Sequence, residues 1–205
     1  RPLASGGYGT VWLARQIALD RLVAVKVLDT PSSPDLAHRS RFVDEARITS
    51  HLSHPNIVVV LDYGVTDEGA WIAYEYVDGP PLRARLERGA LDWREACDMV
   101  IQAASALALA HAAGVVHRDI KPENLLVSGP GVVKVADFGI SRWAASNRTA
   151  TEAGLILGTP AYLSPEVIQG ADPDKALDLY ALSVTLYELL CGTTPFGECE
   201  PFEIL

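Results

Sequence analysis

Between two apolar runs, Val115-Val116 and Leu125-Leu126-Val127, the chain places His117-Arg118-Asp119-Ile120-Lys121-Pro122-Glu123-Asn124. Polar and turn-forming residues packed this tightly between strand formers make a structured loop carried by its neighbours, not a linker. Ser128-Gly129-Pro130-Gly131 then signals a turn, and the strand-like stretch from Val132 to Ala136 ends in Asp137-Phe138-Gly139. A hairpin follows from this order, and it brings Asn124 and Asp137 to neighbouring strand ends. A carboxylate at Asp119 can orient and deprotonate a hydroxyl, and Lys121 can neutralise a phosphoryl group in transfer. Asn124 with Asp137 offers the oxygen ligands that Mg²⁺ bridging phosphates requires. Two unrelated surface turns would be the plainer explanation, and the combined order and spacing argue against it.

The remaining chain divides near residue 78. Before it, Val11 to Ala14, Leu22 to Leu28, Ile57 to Tyr63 and Trp71 to Val77 are rich in β-branched and aromatic residues and read as strands. Ser33-Pro34 can open a helix that runs to about Leu52 and stops before Pro55. After the connector Asp78-Gly79-Pro80-Pro81, helices dominate. Asp92 with Glu95 has the form of a capping box, followed by apolar residues at helical spacing up to Gly114. A second helix is expected from about Asp178 to Gly192, apolar on most sides and therefore buried. The expected fold class is α+β, with a β-rich N-terminal lobe over 1–78 and a larger, mainly helical lobe over 79–205.

Composition narrows the partners. Seventeen basic against 26 acidic residues give a formal charge of -9, so the surface repels nucleic acid and anionic membranes, and any polyanion site must be local. The longest apolar stretch, around Ala103 to Val116, is broken by Ser105 and His111 and is too short for a membrane span. Cys97, Cys191 and Cys199 are odd in number and lack metal-ligand spacing, which suits free thiols in a reducing, cytoplasmic compartment.

Two weaker signals lie in the first half. Ser5-Gly6-Gly7-Tyr8-Gly9 can bring backbone N–H groups close to a phosphate, although alone it reads first as a plain hairpin turn. Lys26 lies inside the apolar run Val23-Ala24-Val25, where a buried ammonium needs an anion. Glu45 is a candidate partner, and a solvated surface lysine is the alternative from these two residues alone.

Together these motifs resemble those of a eukaryotic-type serine/threonine protein kinase, of the kind found in bacteria, along essentially the whole chain. The resemblance implies a two-lobed fold in which Gly6, Gly7 and Gly9 cover the phosphates of ATP. Leu3, Val11 and Ala24 would line the nucleotide, and Lys26 would hold the α- and β-phosphates with Glu45 as its helix partner. Glu75-Tyr76-Val77 would contact adenine through backbone groups, with Tyr74 as gatekeeper. Asp119 corresponds to the catalytic base assisted by Lys121, and Asn124 with Asp137 to the Mg²⁺ ligands. Lys121 and the later Gly158-Thr159 match the serine/threonine pattern, and Pro160-Ala161-Tyr162-Leu163 resembles the surface that receives a peptide acceptor. Arg118 beside Asp119 implies regulation by phosphate on the activation segment, with Thr149 and Thr151 as sites, and a kinase-domain dimer for autophosphorylation. Asp178 resembles the buried aspartate that anchors the catalytic loop.

The sequence departs from the pattern at Ala4, which replaces the first glycine of the phosphate loop and implies weaker nucleotide binding. Relatives continue for several helices, so the chain is expected to be C-terminally truncated, with Glu166 lacking its arginine partner and apolar surface uncovered. A pseudokinase or nucleotide-binding scaffold is the alternative function, and a small-molecule phosphotransferase is disfavoured by the activation segment.

Overall fold

The computed structural model describes residues 1–6, 9–27, 46–66, 69–129, 131–138 and 160–197, which form two compact units. The first comprises Arg1–Ser53 and Val58–Val77, and the second His54–Ile57 and Asp78–Leu205. Gly7, Glu45, Gly139, Thr149, Thr151 and Cys199 lie outside the described residues.

The first unit is built on a five-stranded sheet of β1 (Pro2–Gly6), β2 (Gly9–Gln16), β3 (Arg21–Val27), β4 (Val60–Thr66) and β5 (Gly69–Glu75), in the order β1-β2-β3-β5-β4. All four pairings are antiparallel. Val23, Ile72, Ala73 and Tyr74 form its buried centre. The β1–β2 hairpin closes with Gly6 opposite Gly9, and Gly9 has φ of 120°, a conformation open to glycine and strained for other residues. Of the helix expected from Ser33, residues 46–49 are helical and the earlier part falls outside the described residues.

The expected strand from Ile57 begins later. Asn56 is buried and donates from Nδ2 to the carbonyl of Val133, Val135 N–H donates back to the Asn56 carbonyl, and Ile57 bridges to Val135. These bonds tie His54–Ile57 to the second unit, so β4 starts at Val60.

The second unit contains α1 (Leu82–Leu86), α2 (Trp93–Ala112), the hairpin β6 (Leu125–Ser128) with β7 (Val132–Val135), α3 (Pro165–Ile168) and α4 (Lys175–Cys191). Ala96, Met99, Ala103, Ala106, Leu107 and Ala110 make one buried stripe of α2, which packs against α4 and β7. The alanines allow close approach of those neighbours. Asp92 caps α2 by accepting from Arg94 N–H, but Glu95 does not close a capping box, because its carboxylate pairs with Arg85 instead. The α4 helix begins earlier than the expected Asp178: Asp174 is the N-cap and accepts from Ala176 N–H, and Asp178 lies fully buried within the first turn. Gly192 ends the helix with φ of 79°, as a left-handed C-terminal residue. Gly79 is enforced by packing, since a Cβ there would overlap the carbonyl oxygen of Val127. No described helix is long and apolar enough to cross a membrane.

Candidate active site

In the first unit, the sheet register gathers the residues expected to meet a nucleotide. Val11 pairs with Lys26, Lys26 with Ile72, and Ala24 with Tyr74, so Val11, Ala24, Lys26 and Tyr74 share one face. Lys26 is buried at 6% exposure, which excludes the solvated-lysine alternative. Glu75 ends β5, and Val59 occupies both its groups: Glu75 N–H donates to Val59 carbonyl, and Val59 N–H donates to Glu75 Oε1. Val77, two residues on, is buried. Leu3 lies in β1 and is 38% exposed, and Ala4 pairs with Val11 next to a register irregularity.

In the second unit, the loop 117–124 is held by one carboxylate. Asp178 Oδ2 accepts from His117 N–H at 2.8 Å and Oδ1 accepts from Arg118 N–H at 2.7 Å. His111 Nε2 lies 2.7 Å from Oδ2, a third polar contact on the same fully buried group. This clamp keeps Arg118 at φ of 71°, an uncommon conformation for a residue with a side chain. His117 reaches further, with Nε2 2.9 Å from the Ala136 carbonyl and its ring edge-on to Phe138.

The polar side chains of this loop converge, and the hairpin brings Asp137 beside them. Asn124 Nδ2 donates to the Asp119 carbonyl at 2.7 Å and to Asp119 Oδ2 at 2.9 Å, and Lys121 Nζ lies 2.9 Å from the same Oδ2. Both amide hydrogens of Asn124 are thereby engaged, which turns its Oδ1 to the opposite edge of the amide as an oxygen ligand. Leu125 pairs with Val135, and Ala136 N–H donates to the Asn124 carbonyl, so Asp137 directly follows the residue facing Asn124. Asp137 has φ of 60°, a second left-handed non-glycine residue at this loop. Among the described residues no three His, Cys, Asp or Glu side chains converge on one point. An Asn and an Asp alone fit Mg²⁺, which takes few protein ligands and completes its shell with phosphate oxygens and water.

A second polar cluster had no signal in the sequence. Arg83 on α1 donates to Glu123 in the loop 117–124, to Glu188 on α4 and to the hydroxyl of Tyr162. Charged residues on a short helix carry no spacing that marks their partners. An open polar cavity of about 540 Å³, lined by Arg85, Glu95, Asp98 and Met99, holds none of the expected site residues.

The protein kinase domain family matches residues 1–203. The chain is 45% identical to serine/threonine-protein kinase PknA of Mycobacterium tuberculosis over 203 residues, 96% of this chain and 47% of that protein. It is 44% identical to serine/threonine-protein kinase pkn3 of Myxococcus xanthus, covering 95% of this chain and 37% of that protein. It is 43% identical to serine/threonine-protein kinase PrkC of Bacillus subtilis, covering 96% and 30%. The chain therefore belongs to the protein kinase family, in its bacterial serine/threonine branch, and spans less than half the length of these relatives.

Proposed function

We propose that the intact protein transfers the γ-phosphoryl group of ATP to serine and threonine hydroxyls of protein substrates. The observation that carries this is the convergence of Lys121 and Asn124 on Oδ2 of Asp119, with Asp137 across the hairpin. Both neighbours approach Oδ2, which leaves Oδ1 as the oxygen to take the acceptor's proton. As the acceptor oxygen bonds to phosphorus, the bond from phosphorus to the β-phosphate oxygen breaks, ADP leaves with the electron pair, and Lys121 offsets the charge on the transferring group. Mg²⁺ bound by Asn124 Oδ1 and Asp137 would neutralise charge on the phosphates.

Residues 1–78 are assigned the nucleotide, through backbone amides of the Gly6–Gly9 loop, Leu3, Val11, Ala24, Lys26 with Glu45, and the backbone of Glu75 and Val77. Residues 79–205 are assigned catalysis, and Pro160–Leu163 the acceptor peptide. Phosphate on Thr149 or Thr151 would pair with Arg118, adjacent to Asp119, after autophosphorylation within a kinase-domain dimer. Cys97 and Cys191 are free thiols, and three cysteines without metal-ligand spacing favour a reducing, cytoplasmic setting.

Transfer of labelled γ-phosphate from Mg-ATP to the protein itself and to a generic basic protein tests the assignment. Label on serine or threonine that vanishes in Asp119→Asn is expected. Nucleotide binding without any transfer by the intact protein would select the pseudokinase instead. Full activity after phosphatase treatment would reject the role of Thr149 and Thr151.

A further inference from the structure

Arg83 lies in the first turn of α1, and its guanidinium employs all three nitrogens. Nε donates to Glu123 Oε1 at 2.7 Å, Nη1 to Glu188 Oε1 at 2.5 Å and Nη2 to the Tyr162 hydroxyl at 2.8 Å. The Tyr162 hydroxyl in turn donates to Glu188 Oε2. Four side chains from four segments thus close one network: α1, the turn Pro122–Asn124, the turn Pro160–Tyr162 and α4. Glu188 and Tyr162 are buried, whereas Arg83 and Glu123 are partly exposed, so the network runs from the core to the surface. A buried carboxylate such as Glu188 requires a cation, and a planar fork lets one side chain serve acceptors in three directions. Burial alone would lower the guanidinium pKa, but its hydrogen bonds to Glu188 and Glu123 outweigh it and raise it.

We infer that Arg83 is a positioning residue for the peptide acceptor, fixing the Pro160–Tyr162 turn against the loop that carries Asp119. The inference rests on the kinase activity proposed above. Glu123 sits between Pro122 and Asn124, so Arg83 is bonded to the same turn that carries Asn124, while Asp119, Lys121 and Asn124 hold one another directly. Tyr162 belongs to the segment assigned to the acceptor. Arg83 bonds to both, and its loss loosens the alignment of the incoming hydroxyl while leaving Asp119, Lys121 and Asn124 in place. Such a loss is felt in the KM for peptide. A residue that merely held the fold would, when lost, lower the fraction of competent molecules, reducing kcat with both KM values unchanged.

The test is steady-state phosphorylation of a serine/threonine peptide by the intact protein, varying peptide and ATP separately, with thermal unfolding of each variant. Arg83→Ala is expected to raise the peptide KM roughly tenfold and to change the ATP KM by less than about twofold. Arg83→Lys should fall between, because an ammonium cannot reach all three acceptors. Tyr162→Phe removes one donor and keeps the ion pairs, so it should shift peptide KM in the same direction by a smaller factor, and it serves if Arg83→Ala does not fold. An unchanged peptide KM in Arg83→Lys and Tyr162→Phe, or a fall in kcat alone, overturns the inference. Absence of transfer by the wild-type protein overturns the kinase activity itself, and is seen before any variant is compared.

Discussion

Asn124 donates both hydrogens of its amide to Asp119, one to the backbone carbonyl and one to Oδ2. The two residues are therefore oriented by each other, yet the proposed mechanism gives them different chemistry, with Asp119 taking a proton and Asn124 presenting Oδ1 to a cation. Asp119→Asn should lower kcat by roughly 10²- to 10⁴-fold at any Mg²⁺ concentration. Asn124→Ala should also lower activity, but in part recoverably, because excess Mg²⁺ compensates for a missing ligand and cannot supply a base. Titrating Mg²⁺ against initial rate for both variants separates them. Equal recovery of the two, or of neither, would contradict the division of roles.

The Asp178 carboxylate is fully buried and meets two backbone N–H groups and His111. Replacing it by an amide puts an NH₂ group where at least one donor already points. Asp178→Asn should cost about 2 kcal/mol of unfolding free energy, the magnitude of a buried donor left unpaired. Arg118, released from its left-handed conformation, would relax, so activity should fall further than the loss of folded protein explains. Urea unfolding combined with kinetics normalised to folded protein measures both. A variant as stable as wild type would show that the clamp is dispensable.

The structured loop 117–124 and the β6–β7 hairpin were legible because polar residues stood between short apolar runs, and only a hairpin could join them. Alternation along β3 puts Ala24 and Lys26 on one sheet face, whereas Val11 joins them only through the β2–β3 register, which no local pattern reports. Helix starts were less legible. Asp174 caps α4 ahead of the expected start at Asp178, whereas the anchoring of His117 and Arg118 by Asp178, which the resemblance implied, is what the structure has. Ile57 belongs to an apolar run that reads as one strand, and a long-range bond of Asn56 to Val133 detaches it. His111 interrupts the apolar stripe of α2, and only the fold reveals the buried carboxylate it meets. The Arg83 network was invisible for the same reason, since its members are 26 to 105 residues apart along the chain.

Ser164 precedes α3 and is fully buried, and its Oγ finds no hydrogen-bond partner among the described residues. A buried hydroxyl without a partner carries its desolvation cost uncompensated. Ser164→Ala removes the oxygen and leaves only a small void, so it should raise unfolding free energy by about 1 kcal/mol. Denaturant midpoints of the two proteins, with unchanged slope, measure this. A destabilised alanine variant would mean that the hydroxyl is satisfied after all.

Tyr162 ties stability to alkaline pH. Burial first, and then its hydrogen bond to Glu188, holds the phenol well above the ordinary tyrosine pKa, because a phenolate could not donate and would face a carboxylate. In the unfolded chain the same phenol ionises near 10. Below about pH 10 both states keep the proton and the contribution of Tyr162 is complete. Above it the unfolded state releases its proton first, so unfolding becomes more favourable as pH rises toward the folded value. Tyr162→Phe lacks this term. Tyr180, whose phenol is also held high by burial and then by Glu166, is common to both proteins and cancels in the difference. Urea unfolding of wild type and Tyr162→Phe from about pH 8.5 to 11 should therefore show a stability difference that is constant at first and shrinks above about pH 10. A difference that stays flat across the range would mean that the Tyr162 hydroxyl does not donate to Glu188 in solution, and that the network around Arg83 is held by its ion pairs alone.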